Sequence, residues 1–485
     1  MTVPNDRLLH TPAAHTHDGL LESLHPYRYQ WPTTSLSDDA RWKLDPATGM
    51  HFRGMPESDS ELAADSRWPA LFPSPICVIT ASDGTRTAME REVGASIVNR
   101  FPYVVAVSIC RTALSERHHR RTTFMDILES GKVASLQFLP PGPRLDSALD
   151  VIASIPDERT SQRITASGLP TRSGITSQAP VLEDAYLVYE AALVRPQRDF
   201  GGNSIYECPW LDVGSHRVYF LEIKAIQLRE DIAMGATQIR WRALPTWDAG
   251  EARSAAPSGA RASNGRYQKG YDPNYTFPAA NTIAFEHDDI KDGMAIKLLP
   301  PLPEDQVEVD NDRARWPCFF PSSCGLITTY DNRGTPNVMP CGSTTVISRN
   351  PFVIAPCVSY TNINERYAAR RSLDLIRERG RFGCSVPYIG DTIVDAIKYC
   401  GNNSLSDDEN KALNSGLTLA SSEYGPLVKD APVHFDCEVV GEVMLGTHIL
   451  FLGRVAGIHV HPDVTPENPL NWCPWPGITD PSSNH

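Results

Sequence analysis

Among the 11 cysteines of the sequence, no two have C-x-x-C spacing. That removes the usual signature of a thiolate metal site or a redox pair. No apolar run approaches the ~20 residues that a membrane-spanning helix requires. Positive charge is also scarce: the formal net charge is −13 at pH 7. A nucleic-acid binder has to neutralise phosphates, so this balance argues against one. It leaves room for a local basic pocket facing a small anion. The first twenty residues lack a basic region followed by an apolar core, so no secretory signal is read and a cytoplasmic location is expected. The cysteine count is odd, and eight of the 11 lie from Cys318 onward, mostly inside apolar runs. They are expected to be reduced thiols serving as small core residues.

What is present is a duplication. A chain of 485 residues with 41% hydrophobic and 21% charged residues can bury more than one core. Arg67-Trp68-Pro69-Ala70-Leu71-Phe72-Pro73 is echoed by Arg315-Trp316-Pro317-Cys318-Phe319-Phe320-Pro321, with Trp68 and Trp316 separated by 316 − 68 = 248 residues. Solenoid repeats run to tens of residues, so this spacing is that of a whole domain. Further echoes follow in the same order: Gly49-Met50 with Gly293-Met294, Gly84-Thr85 with Gly334-Thr335, and Ser167-Gly168-Leu169 with Ser415-Gly416-Leu417. Asp184-Ala185 then matches Asp430-Ala431, and Gly214-Ser215-His216 matches Gly446-Thr447-His448. The organisation read from this is a flexible arm over 1–24, a first repeat over 25–248, a linker over 249–270 and a second repeat over 271–485. Each repeat includes the approach segment that precedes its Arg-Trp-Pro phrase. Pro196–Asp212 is an insertion that the second repeat lacks.

Within each repeat the pattern predicts five or six strands with one or two helices. In the first, Ile76–Thr80, Val104–Ile109, Val133–Phe138, Tyr186–Val194 and Arg217–Ile226 read as strands, and Ser82–Thr85 as a hairpin turn. Thr123–Ser130 reads as a helix with Gly131 at C′. In the second, Phe320–Thr329, Phe352–Ser359, Phe382–Val386 and His448–Ile458 read as strands. Asn364–Arg379 reads as a helix stopped by Gly380, and Asp391–Tyr399 as another. Val433, Phe435, Cys437 and Val439 have the period of a half-buried strand. Short strands joined by turns point to a small closed barrel, because closure removes exposed edges. So small a barrel fills its interior with side chains, and a ligand has to bind at a rim or between two barrels.

Several segments of the second repeat resemble one family in order: Gly334-Thr335-Pro336-Asn337-Val338-Met339, Ser343 to Pro351, Arg370-Arg371-Ser372-Leu373-Asp374-Leu375-Ile376, Phe382 to Pro387, Ser415 to Thr418 and Gly446 to Val455. Together they resemble the flavin reductase-like proteins of the FMN-binding split-barrel superfamily, of the flavoredoxin type. The resemblance implies a mainly β, α+β fold: two fused Greek-key split β-barrel domains forming an intramolecular pseudo-dimer, with a further homodimer left open. It implies an FMN-dependent NAD(P)H oxidoreductase, with FMN or alternatively FAD as cofactor and NAD(P)H as co-substrate. One cleft for cofactor and small-molecule substrate is expected between the repeats. Carried onto this chain, it makes Asn337, Cys341, Ser343, Thr344, Thr345, Ser359, Thr361, Arg366, Arg370 and Arg371 candidate cofactor contacts. Hydroxyls and planar guanidinium forks suit ribityl and phosphate oxygens. His448 and His216 are candidate acid or nicotinamide contacts, or else structural histidines that hold a turn. In the first repeat Glu90 and Glu92 stand where an anion would pass and two of the hydroxyls are gone, with Arg91 as the compensating charge. That repeat is therefore read as a degenerate partner. Arg91, His118 and His119 are candidate substrate contacts. The rival reading is a specialised biosynthetic enzyme that reuses the cleft for non-redox or haem-dependent chemistry, of a cyclase or lyase type.

Overall fold

The computed structural model describes residues 36–55, 77–91, 94–100, 102–111, 122–139, 143–198, 202–214, 216–234, 238–242, 285, 287–299, 325–349, 351–360, 370–387, 391–464 and 475–479. The arm over 1–24, the linker over 249–270, both Arg-Trp-Pro phrases, Glu92, His118, His119, Thr361 and Arg366 lie outside the described residues.

The chain opens with a hairpin of β1 (Lys43–Asp45) and β2 (Met50–Gly54). The first repeat follows as β3 (Val78–Ser82), β4 (Thr87–Arg91), β5 (Gly94–Arg100), β6 (Tyr103–Cys110), α1 (Thr123–Gly131), β7 (Val133–Phe138), α2 (Pro143–Ser154), α3 (Thr160–Ala166), β8 (Leu187–Leu193), β9 (Trp210–Val213) and β10 (His216–Arg229). After β11 (Gln238–Arg242) a second hairpin, β12 (Ile290–Lys291) and β13 (Met294–Leu298), leads into the second repeat. That repeat runs β14 (Gly325–Tyr330), β15 (Pro336–Cys341), β16 (Thr344–Arg349), β17 (Phe352–Ser359), α4 (Arg371–Arg379), β18 (Arg381–Val386), α5 (Asp391–Asn402), α6 (Lys411–Asn414), β19 (Val433–Met444) and β20 (His448–Val460). A final strand, β21 (Trp475–Thr479), pairs with β11.

The two repeats share one topology. The first orders its sheet β4-β3-β7-β8-β10, and the second β15-β14-β18-β19-β20. In each, the next hairpin (β5–β6 or β16–β17) joins at the other edge through β10 or β20. The turns Asp83–Arg86 and Asp331–Thr335 close the opening hairpins, with Gly84 and Gly334 at φ +88° and +84°. Glycine adopts that left-handed conformation without a Cβ clash, which explains its place in both turns.

Local readings are refined in three places. The helix α1 ends on a left-handed Lys132 at φ 61°, so Gly131 is not the C′ residue. Glycine is required at 131 for another reason: a Cβ there would lie 1.7 Å from the Ser82 carbonyl oxygen. Gly380 does stop α4 at φ 64°, as expected, and Leu373 and Ile376 are buried. That helix starts at Arg371, because Arg370 is extended. The strand from Val433 is not half-buried: Val433 to Cys437 are all buried, since the segment around Ser422–Val428 covers its second face.

Two larger expectations are corrected. Neither sheet closes into a barrel: among the described pairings β15 meets only β14, and β16 meets only β17. The outer side of β16 is instead covered by β5 of the other repeat. A Cβ on Gly94 would lie 2.1 Å from the Val346 carbonyl oxygen, so two backbones touch there. The approach segments do not lie on the repeats they precede. Hairpin β1–β2 pairs with β20, from His51↔Val460 to Gly54↔Gly457. Hairpin β12–β13 pairs with β10, from Ala225↔Leu298 to Arg229↔Met294. Strands β10 and β20 are 14 and 13 residues long and would otherwise present half an edge to solvent. The exchange covers each edge with a strand borrowed from the other half.

The seam is a packed core. A single hydrophobic cluster joins Val98, Val104, Ile205, Tyr206, Val218 and Phe220 to Ile347, Val353, Cys357, Leu445 and Leu450. Hydrogen bonds cross it. Ser108 Oγ donates to Ile347 O at 2.6 Å, Cys357 Sγ to Val98 O at 2.8 Å, and Tyr206 Oη to Leu445 O at 3.0 Å. The insertion thus works as a seam element, since it carries Ile205 and Tyr206. Cys77, Cys341, Cys357, Cys384, Cys400 and Cys437 are buried free thiols, as expected of small core residues.

Candidate active site

Four strand and helix ends of the second repeat converge. Ser359 ends β17 and pairs across the sheet with His448, the first residue of β20. The Arg370 amide donates to Ser359 O at 3.1 Å, which brings the start of α4 to the same place. The Tyr360 amide donates to Thr447 O, and the Cys357 amide to Ser343 O. Ser343, Ser359, Arg370 and His448 therefore gather around one end of the sheet. Arg370 also holds Gly401 O with one N–H at 2.9 Å. The first repeat enters through Asn99, whose Oδ1 accepts from the Thr447 amide at 2.9 Å and from Thr447 Oγ1 at 2.5 Å. Thr345 faces the seam as well. Its buried Oγ1 has no hydrogen-bond partner among the described residues.

Other candidates lie elsewhere. Asn337 is buried under α4 and α6, donating to Thr329 Oγ1 at 3.2 Å and Ser372 Oγ at 2.8 Å. Cys341 is buried against Cys357 O, and the Thr344 hydroxyl is used on Cys341 O. Arg371 points along the solvent face of α4 to Asp374 and Glu378 at 3.0 and 3.3 Å. These pairs raise its pKa. His216 opens β10 opposite Cys110, the counterpart of the His448–Ser359 pair. There the surroundings differ: Arg111 pairs with Asp212 at 3.1 Å and donates to Gly214 O, and Arg217 bridges Asp212 and Glu129. Asp212 comes from the insertion, so the first repeat fills this end with its own ion pairs.

Glu90 is also corrected. It is paired with Arg163 of α3, which also donates to Ile155 O. The main compensating charge is thus Arg163; Arg91 donates its amide to the Glu90 carboxylate at 3.1 Å and adds its own charge.

The second repeat keeps the cation and drops the carboxylate. Lys411 stands 411 − 163 = 248 residues after Arg163. It is 3% exposed, and its Nζ donates to Asn337 Oδ1 at 3.3 Å. Burial, aided by the Arg370 charge, pulls its pKa down to about 8. Below pH 8 Lys411 is charged in both folded and unfolded states, so the burial penalty is fully present there. It fades as pH rises from 8 to 10.5, where the unfolded lysine also loses its proton. Lys411→Met is therefore expected to stabilise the chain at pH 7. Relief of roughly 3 kcal/mol less about 1–2 kcal/mol for leaving Asn337 Oδ1 without a donor gives a gain of about 1–2 kcal/mol. Urea unfolding at pH 7 and pH 10 checks this: the gain shrinks at the higher pH, and an equal effect at both would contradict it.

The sequence reading missed a buried ionic cluster. His434, Asp436 and His459 are 0%, 5% and 6% exposed. Asp436 Oδ2 meets His459 Nε2 at 2.8 Å, Ser422 Oγ donates to Asp436 Oδ1, and Ser385 Oγ lies 2.7 Å from His434 Nδ1. The first repeat has Glu190 here, accepting from the amides of Ile175, Thr176 and Ser177. The spacing of His434 and Asp436, two apart on one strand face, was the available signal. Among the described residues no group of three or more His, Cys, Asp or Glu is placed to hold a metal ion. No helix among them is long and apolar enough to cross a membrane.

Two like-folded α+β units joined along a shared seam are the class of protein this structure defines. The chain belongs to the flavin reductase like family: a model of the flavin reductase like domain matches residues 70–242 and again 318–474. An uncharacterized protein of Archaeoglobus fulgidus is 32% identical over 127 residues, 26% of this chain and 64% of the relative. The chain thus spans less than two thirds of that relative's length. Among solved structures, the flavoredoxin of Desulfovibrio vulgaris (Miyazaki F) is 26% identical, with 29% of this chain and 70% of that chain covered at a TM-score of 0.25. Nitrilotriacetate monooxygenase component B from Bacillus cereus is 21% identical, with 38% and 95% covered at a TM-score of 0.31.

Proposed function

We propose that the chain is an FMN-dependent NAD(P)H oxidoreductase with one cofactor and substrate cleft, at the seam and on the second repeat. The observation that supports it most is the convergence of Ser343, Ser359, Arg370 and His448 beside the first repeat's Asn99. The donor set fits the group. Hydroxyls of Ser343, Thr345 and Ser359 suit a polyol chain, and a guanidinium suits a phosphate because it offers charge-assisted N–H groups in a planar fork. When bound, the flavin supplies a hydride acceptor for a reduced nicotinamide. The protein's part is to hold the ring and phosphate, keep water out through the packed seam, and offer His448 as a proton carrier at the strand end. The first repeat acts as a partner that completes this site, since its own equivalent end is taken by Arg111, Asp212 and Arg217. Glu90, part of one support of the rival non-redox reading, is used on Arg163.

Fluorescence titration with FMN, followed by oxidation of NADH and NADPH, tests the reading. Arg370→Ala is expected to weaken FMN binding by about 10- to 100-fold, the worth of one charge-assisted contact. A wild-type chain that binds no FMN, or an Arg370→Ala chain that binds it equally well, would contradict the proposal.

A further inference from the structure

The hydrogen bonds around His448 determine which of its ring nitrogens carries the proton. Asn99 lies in the first repeat and is 1% exposed. Its Nδ2 meets Pro102 O at 2.9 Å and its Oδ1 meets the Thr447 amide at 2.9 Å. A carbonyl can only accept and an amide N–H can only donate, so these two contacts fix the orientation of the Asn99 side chain. The atom facing Thr447 is therefore the carbonyl oxygen. Thr447 Oγ1 lies 2.5 Å from that oxygen. An amide oxygen has no hydrogen to give, so the single hydroxyl proton of Thr447 points at Asn99. Thr447 Oγ1 then has only lone pairs to offer His448 Nδ1, which lies 2.7 Å away. The proton in that contact has to be on Nδ1.

We infer that Asn99 of the first repeat, acting through Thr447, fixes His448 as the Nδ1–H tautomer and leaves the lone pair on Nε2. Asn99 is a positioning residue, and the first repeat thereby supplies a part of the site that the second repeat carries. Tyr206 from the insertion supports the arrangement, its hydroxyl donating to Leu445 O at 3.0 Å beside the same turn. The lone pair makes Nε2 the atom that takes up a proton, and the imidazolium so formed gives it back from the same atom. Whether that proton serves a flavin reaction rests on the function proposed above; the tautomer itself does not.

Among the described residues, the opposite side of the seam lacks the device. Ser348 occupies the position equivalent to Asn99, one residue before Arg349 as Asn99 is before Arg100. Ser348 is fully buried, and its hydroxyl has no hydrogen-bond partner among the described residues. A serine offers no amide carbonyl to draw a neighbouring hydroxyl proton away from a ring. The two histidines that match in sequence, His216 and His448, thus differ in what sets their protons.

The test is a long-range proton–nitrogen NMR correlation on the full chain labelled with ring-15N histidine, recorded above the histidine titration. The His448 signals are assigned by their loss in His448→Gln. The native chain is expected to show a protonated, pyrrole-type Nδ1 and a pyridine-type Nε2. Asn99→Ala frees the Thr447 hydroxyl to donate to Nδ1, and Thr447→Val removes the acceptor, so both should bring up a population protonated at Nε2. Thr447→Ser should keep the native pattern. A native His448 protonated at Nε2 overturns the inference whatever the variants do. So does an unchanged pattern in either variant when the other histidine signals show it is folded. The readout uses neither flavin nor nicotinamide, so it stands or falls separately from FMN binding.

Discussion

Residues 271–485 produced without the first repeat do not fold into the second repeat's structure, and co-production with residues 25–248 restores it. The seam explains why. Its cluster buries nine residues from the first repeat and six from the second. A fully buried Val, Leu, Ile or Phe is worth about 1.5–3 kcal/mol against leaving it exposed. Exposing either side would remove most of a typical domain stability of about 5–15 kcal/mol. The cut also strands each exchanged hairpin on the wrong fragment. The second repeat loses β2 from the edge of β20, and with it buried Met50 and the Phe52 ring that lies 4.8 Å from the His459 ring. The first repeat loses β13 from β10 in the same way. Circular dichroism and size-exclusion chromatography of the separate and co-produced halves measure the effect. A folded, monomeric second half on its own would contradict it.

Asp436→Leu is expected to destabilise the full chain by about 3 kcal/mol or more, because it leaves two buried imidazoles without their carboxylate. The pH dependence has a definite sign. Burial alone would raise the Asp436 carboxyl, but the His459 Nε2 hydrogen bond at 2.8 Å and the His434 Nε2 contact at 3.5 Å outweigh it and hold its pKa well below the usual range. Its stabilisation is therefore present above the unfolded value of 3.8 and is lost as pH falls below it. Burial pushes His434 below its ordinary 6.5, so the unfolded chain takes up that proton first. The wild-type chain should accordingly lose stability as pH falls below 6.5, and more steeply below 4. The deficit of Asp436→Leu should be full at pH 7 and narrow in acid. Thermal midpoints between pH 3 and pH 8 check both parts, and an unchanged midpoint at pH 7 would refute the role given to the cluster.

Much of the fold was legible because it is written locally. The repeated Gly84 and Gly334 turns, the apolar run Val104-Val105-Ala106-Val107 and the Gly380 stop each report their own conformation. What escaped is pairing between distant residues, which periodicity does not encode. A strand's pattern shows that β2 exists but not that β20 receives it. Glu90 looked like an obstacle to an anion because its partner Arg163 lies on a helix 73 residues away. At the site, Arg370 and His448 were legible from the family's motifs. Asn337 was named from the same motif, yet strand register turns it under α4. Asn99 was invisible as a site residue, since its contact with Thr447 spans 348 residues and exists only because the halves meet.

The stoichiometry of FMN on the purified full chain tests the central claim most directly. The account predicts one FMN per chain, weakened by Arg370→Ala and unaffected by Arg111→Ala at the equivalent end of the first repeat. Two flavins per chain, or one that responds to Arg111→Ala and ignores Arg370→Ala, would contradict it.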